Sequence, residues 1–373
     1  MDTAEPDLAP ASLPASLSVR LGAIAANYRG LRNLAAGTAA AVVKADAYGM
    51  GAAMVAPMLT GCGCDTFFVA RLEEGVALRA VVPRARIFVL DGAPPDAVPA
   101  LIAHQLTPVL NSLDDVASWS VAAKTERRTL DAAIHIDTGM NRLGFSGDEL
   151  AIFAAEAKMR LAGLNLVLLM SHLACADDGG DGTMNRRQLE RFRAALAMLP
   201  PAPASLAATS GILLGPDYHF DMVRPGVGLY GGGPSHADNP QNPVALVTAR
   251  VLQVRRIDKG DSVGYAATFH AKRPTMLATV AVGYADGIMR TASNKGSAAI
   301  GGARAPYAGR VSMDMLSLDV TDLTRMPLVG DWCELLGDTI TLAEVAAFSG
   351  TNEYEILTGL AARLPRRYTD DAA

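Results

Sequence analysis

A (β/α)8 barrel of the TIM type followed by a second, mostly β domain is the fold that this sequence predicts, and three observations predict it. Eight short apolar runs recur over the first two-thirds of the chain, most of them four to eight residues long and bounded by Gly, Pro, Asp or Ser. Stretches with apolar residues three and four apart lie between them. After residue 240 the helical texture fades into extended runs joined by Gly, Asp and Pro. Continuous apolar runs are how strands buried on both faces read, and eight of them alternating with helices are what a closed parallel barrel requires. The pattern alone also fits a doubly wound open sheet.

Taken in order, the start "MDTAEPDLAPASLPASL" holds acids and prolines and no basic segment leading into an apolar one. It reads as a flexible tail over residues 1–15, not as a secretory signal. An amphipathic stretch, "GAIAANYRGLRNLAA", precedes the first run, "AAAVVKA" (39–45). "TFFVA" (66–70) leads into the helical "RLEEGVALRAVV" (71–82). "ARIFVLDG" (85–92) and "LTPVLNS" (106–112) are followed by "SLDDVASWSVAAKT" (112–125). "DAAIHIDTG" (131–139) precedes "GDELAIFAAEAKM" (147–159), and "NLVLLMSHLA" (165–174) precedes "MNRRQLERFRAALAML" (184–199). "ASLAATS" (204–210) and "VRPGVGLYG" (223–231) complete the eight. "GGGPSHADNPQNP" (231–243) has the Gly/Pro content of a linker, so the barrel is expected over 16–238 and the β domain over 239–373. Within the latter, "LAEVAAFSG" (342–350) and "NEYEILTGLAARL" (352–364) are the helical exceptions.

Composition narrows the function. The 373 residues suffice for two domains with real cores, and half of them are hydrophobic, which is a globular composition. A net charge of −5 without a Lys/Arg-rich run makes nucleic acid and anionic membranes unexpected partners. No apolar run reaches the ~20 residues that a membrane helix needs. Cys62, Cys64, Cys175 and Cys333 form no CxxC pair and no zinc-finger spacing with histidine, so no metal site is expected. They read as reduced thiols of a cytoplasmic protein.

The chemistry begins at Lys44, which closes the first apolar run. Active sites of such barrels lie at the carboxyl ends of the strands. An amine there leaves water, its pKa falls, and the neutral form is the one that condenses with an aldehyde. The bland alternative is a lysine that snorkels from a strand end.

The flanking sequence "AVVKADAYGMG" is similar to the signature of the alanine racemases, a barrel-plus-β family that uses pyridoxal phosphate. Further matches follow in order: "DTGMNRLGF" (137–145), "SHLACAD" (171–177), "VRPGVGLYG" (223–231), "VGYAATF" (263–269), "VGYADG" (282–287), "GRVSMDM" (309–315) and "LPRRYT" (364–369). The resemblance implies an isomerase that interconverts L- and D-alanine, supplies D-alanine for peptidoglycan, and works as a homodimer whose barrel meets the partner's β domain. Lys44 would hold the cofactor as a Schiff base and serve as one base. Tyr265, from the partner, would be the other, because inversion needs a base on each face of the carbon. A phenol with a pKa of about 10 is a poor base at neutral pH, so His172 would assist it. Arg224 would face the pyridine nitrogen and, unable to give up its proton, keep that nitrogen largely unprotonated. Tyr48, Ser210, Gly226, Val227 and Tyr368 would hold the phosphate, glycine by admitting it close to the backbone. Arg142 would contact the substrate carboxylate through its side chain and Met313 through its backbone. Tyr284, Arg290, Arg310, Asp177 and Asp314 match the narrow entrance, which favours small substrates.

Three positions depart from the family pattern. Two before "DTGM", where many members carry a carbamylated lysine that orients the arginine of "NRLG", this chain has His135, which cannot be carbamylated. The histidine that usually partners the pyridine-facing arginine is Leu206, and the usual "NS" reads Thr209-Ser210. A related racemase preferring serine is therefore a second reading. A pyridoxal-phosphate carrier would lack a second base, and a decarboxylase would set an acid, not Arg224, at the ring nitrogen.

Overall fold

The computed structural model describes residues 13–234 and 241–371. The chain divides into two compact units, Ile24–Asn242 and a second that joins residues 1–23 to Pro243–Ala373. Most of the tail expected over 1–15, and residues 235–240 of the expected linker, lie outside the described residues.

In the first unit Ala41–Val42, Thr66–Val69, Arg86–Val89, Thr107–Leu110, Leu130–His135, Leu164–Met170 and Ala204–Ser205 form a parallel sheet in that order. The eighth run supplies Met222–Val223, which pairs parallel with Thr38–Ala39 at the sheet's first edge. At the other edge, the Asp221 and Arg224 amides donate to Ala204 O and Ala207 O. The sheet therefore curls until its ends share one strand, and the closed barrel, not the open sheet, is the fold. Every residue of Thr66–Val69 and of Thr107–Leu110 is buried, which is why these strands show no polar alternation. Phe68 and Phe88, paired in register, stack with centroids 4.6 Å apart in the interior.

The helices follow local signals. Leu113–Glu126 and Gly147–Arg160 begin on Ser112 and Ser146, whose hydroxyls accept the amides of Asp115 and Glu149. Leu21–Leu34, Leu72–Val81 and Thr183–Met198 fall where periodicity placed them. Ala52–Gly61 and Val98–Ala103 were not expected: Pro57 interrupts the first, and the second is only six residues long.

The second unit is mostly sheet. The long strand Ala245–Ile257 pairs antiparallel with Ala15–Arg20, Thr275–Val280 and Trp332–Leu336. Ala15–Arg20 also pairs parallel with Arg366–Thr369. Residues 16–20, expected with the barrel, thus belong to the β sheet. Their alternation buries Leu17 and Val19 completely on one face, a two-residue period that a barrel-entry reading overlooks. Leu342–Ser349 and Glu353–Gly359 are the helices, capped by Thr341 and Asn352. The second ends before 364, where the Arg366 guanidinium takes up Leu360 O, Ala361 O and Leu364 O. The four cysteines are unpaired. Among the described residues no helix is long and apolar enough to cross a membrane.

Candidate active site

Lys44 follows its strand by two residues, and the Val43 amide is anchored to Phe68 O at 2.9 Å. The next four residues, Ala45 to Tyr48, all have φ between 52° and 56°, a left-handed turn. Such a turn costs about 1–2 kcal/mol per L-residue, so something must hold it. The Glu74 carboxylate accepts the Ala45 amide at 2.6 Å through one oxygen and those of Ala70 and Arg71 at 2.8 and 3.1 Å through the other. Asp46 accepts the Ala52 amide at 2.7 Å on the far side. The turn points Lys44 away from helical continuation and places the Tyr48 ring against Tyr230, 4.8 Å between centroids. Tyr230 in turn donates to Val42 O at 2.9 Å, locking the turn to its strand. Burial lowers the Lys44 amine below its usual pKa of 10.5; Arg142 and Arg224 push the same way, against Glu74 and Asp91.

Arg224 is 3% exposed and faces no carboxylate within hydrogen-bonding reach among the described residues. Its guanidinium donates to Ser205 Oγ at 2.5 Å, Ser171 O at 2.6 Å and Leu206 O at 3.4 Å. Burial lowers its pKa from 12.5 to about 10, which leaves it cationic at neutral pH. His172 lies close enough to feel this charge: burial first, then Arg224, Arg142, Lys44 and His135, hold its pKa at about 3. It is a neutral imidazole at pH 7. Its backbone is fixed by the fully buried Gln188, whose amide nitrogen donates to His172 O at 2.9 Å and to Thr138 Oγ1 at 3.1 Å.

His135 ends its strand with Nδ1 2.9 Å from Asn111 Oδ1. The Asn111 amide nitrogen is committed to Leu90 O and Val109 O, both at 3.0 Å, so Oδ1 must accept and His135 Nδ1 must carry the hydrogen. Burial, reinforced by Arg224, lowers its pKa to about 4. The loop that follows is gathered by Asp137, whose carboxylate accepts the amides of Gly139, Met140 and Asn141 at 2.8–3.1 Å. Arg142, exposed on this loop, has no hydrogen bond or ion pair among the described residues, which leaves its five donors available to an anion.

Tyr48 packs against the Gly226 backbone. Ser210 Oγ is buried without a partner, an uncommon state for a hydroxyl. A Cβ at Gly226 would come within 2.5 Å of Tyr48 Oη, so only glycine lets that hydroxyl pack against the backbone here. The Gly226 and Gly228 amides converge on Thr209 Oγ1 at 3.0 and 3.1 Å. Thr209 thus shapes the loop that Val227 opens. An orphan hydroxyl, a tyrosine hydroxyl set against glycine backbone, a desolvated amine and a buried cation form a set that fits pyridoxal phosphate.

The second unit carries the other expected residues. Tyr265 opens the turn Tyr265–Ala267 and is 70% exposed. Met313, 53% exposed, sits where Ser312 O and Met313 O accept the amides of Tyr284 and Ala285, each at 3.0 Å. Asp286 and Asp314 share Arg363, at 2.5 and 2.8 Å, so the Tyr284 and Met313 loops are clamped together. Arg290 lies in the turn Arg290–Ala292, Arg310 near Gly264, and Tyr368 in its strand opposite Val19. Asp177 is exposed on the loop after His172.

Residues 19–234 match the family described as "Alanine racemase, N-terminal domain", and residues 244–368 match "Alanine racemase, C-terminal domain". The chain belongs to the alanine racemase family. A catabolic alanine racemase of Agrobacterium fabrum is 46% identical over 94% of this chain and 91% of its own length. The structure is similar to the alanine racemase of Bartonella henselae with covalently bound pyridoxal phosphate (TM-score 0.92, 40% identity, 96% of this chain and 100% of that one). It is also similar to a biosynthetic alanine racemase of Pseudomonas aeruginosa (TM-score 0.89, 38% identity, 95% and 99% covered). For an alanine racemase family member, Glu74, Asn111, Gln188, Ser205, Tyr230 and Arg363 are the supporting residues that sequence reasoning missed. A polar residue at the end of an apolar run, as Asn111 ends "LTPVLN", was the one local signal available.

Proposed function

We propose that this protein interconverts L- and D-alanine with pyridoxal phosphate held at Lys44. The observation that carries the reading is the cluster at the carboxyl ends of the barrel strands: a desolvated Lys44 amine, a buried Arg224 without a carboxylate, and an unpartnered Ser210 hydroxyl. When bound, the cofactor supplies an aldehyde to the amine and an electron sink to the α-carbon. Ser210, Tyr48, Val227 and Tyr368 hold its phosphate, and Gly226 lets the backbone approach it. Arg224 faces the ring nitrogen as a permanent cation. Lys44 takes or returns the α-proton on one face. Tyr265 does so on the other, supplied by a second copy of the chain, which its 70% exposure leaves free to happen. Arg142 and the Met313 backbone receive the substrate carboxylate. The neutral His172 accepts a hydrogen bond from the phenol and orients it. We further propose a cytoplasmic homodimer. Its D-alanine goes to peptidoglycan; growth of a deletion strain without added D-alanine would point instead to a catabolic role.

The test is direct. L-Alanine in D₂O should yield α-deuterated D-alanine, and Lys44→Ala should abolish both that turnover and the cofactor's absorbance. A Lys44→Ala protein that keeps both sinks the assignment. A faster turnover of serine than of alanine would select the related racemase.

A further inference from the structure

We infer that Ser205 is a positioning residue whose hydroxyl sets the direction of the Arg224 guanidinium toward the cofactor ring. The inference rests on the placement of Arg224 against the ring nitrogen proposed above. At the position where family members usually have a histidine for this arginine, the chain has Leu206, which is completely buried and carries no polar side-chain atom. Its carbonyl, not its side chain, meets the guanidinium.

Of the three oxygens that receive Arg224, two are main-chain carbonyls, Ser171 O and Leu206 O, which any residue would supply. Ser205 Oγ is the one side-chain acceptor of Arg224 among the described residues, and Ser205 is itself completely buried. A hydroxyl has one proton to give. That of Ser205 is committed to Met222 O at 2.6 Å, so its lone pairs turn to Arg224. Met222 lies in the strand Met222–Val223 that delivers Arg224. The bonds therefore close a loop from the arginine's side chain, through serine, back to the arginine's own strand. A flexible side chain is thereby tied to the one element that defines where it starts.

The acceptor's neutrality matters as much as its place. Serine and two carbonyls hold the guanidinium without neutralising it, whereas a carboxylate there would spend its charge on an ion pair. A ring nitrogen facing an undiminished cation stays unprotonated. Without the Ser205 hydroxyl the guanidinium is tied by carbonyls alone and can turn from the ring. The nitrogen then takes a proton from water and the electron sink strengthens. A fraction of turnovers then moves the amino group of alanine to the cofactor and releases pyruvate.

Cofactor-free protein is titrated with pyridoxal phosphate by fluorescence for the native chain, Ser205→Ala, Ser205→Thr and Arg224→Lys. Pyruvate released per D-alanine formed and melting temperature are measured on the same samples. Ser205→Ala should weaken cofactor binding by about 10-fold, the effect of one hydrogen bond to a charged group, and raise the pyruvate ratio. Ser205→Thr, which keeps a hydroxyl, should restore both. If Arg224→Lys shifts both readouts and Ser205→Ala shifts neither, the role of Ser205 is overturned. A Ser205→Ala protein that melts lower with native cofactor affinity and native pyruvate ratio overturns it equally, because the serine is then merely structural. If the native chain binds no cofactor, or Arg224→Lys leaves the pyruvate ratio unchanged, the underlying placement of Arg224 fails instead.

Discussion

The barrel unit and the β unit carry their site residues in opposite ways. In the barrel, Arg224, His135 and Gln188 are held by hydrogen bonds from their own unit, which give their side chains a direction. In the β unit, Tyr265 and Met313 stand 70% and 53% exposed, and the Met313 loop is held by backbone hydrogen bonds and by the Arg363 clamp. The difference separates two tasks. A cofactor that stays needs an environment whose dielectric and charge are preset, and burial presets them. Groups proposed to meet the substrate need access, and backbone supports them without enclosing them.

Breaking the comparison starts with its most exposed member. Tyr265→Phe removes a hydroxyl that supports no fold contact, so the melting temperature should hold. Racemisation should fall by roughly 10²–10⁴-fold, the usual contribution of a positioned acid–base group, and more strongly in one direction than in the other. Equal losses and equal deuterium isotope effects in both directions would erase the distinction between two bases.

Ser210→Ala tests the barrel side. The lost hydroxyl has no protein partner, so the cofactor-free protein should be no less stable. Cofactor affinity should drop about 10-fold, as for a charge-assisted hydrogen bond to phosphate. A destabilised cofactor-free variant with unchanged affinity would mean that the orphan oxygen serves folding.

The smallest expected effect is on stability against pH. Burial holds His135 at about 4 and His172 at about 3, both below the ordinary 6.5. As pH falls through 6.5 the unfolded chain binds protons that the folded chain refuses, so stability is full above that pH and declines toward about 4 for His135 and about 3 for His172. Denaturant titrations of His135→Asn should show a shallower decline over that window. An identical slope would mean that His135 is not held neutral by its surroundings.

Much of this was legible along the chain. The eight runs, their helices and the Lys44 turn sequence were visible because strand burial and helical periodicity are properties of a few adjacent residues. The helix Ala52–Gly61 was not, since Pro57 masks it, nor was the first strand, which joins a sheet made from residues more than 200 positions away. The same distinction governs the site. Residue types at Lys44, Arg224 and Ser210 named a chemistry. That the Gly226 amide is taken up by Thr209, 17 residues earlier, was decided by the fold.

The sequence by itself determined the alternation of strand and helix, the change of texture after residue 240, and the ordered motifs that identify the family. Tertiary structure alone decided that Ser205 and Ser171, 19 and 53 residues from Arg224, receive its guanidinium, and that Asn111 selects the tautomer of His135. The physical reason is that hydrogen-bond partners are chosen by barrel closure, which brings together strand ends far apart in the chain and leaves each buried polar atom only the neighbours it then finds.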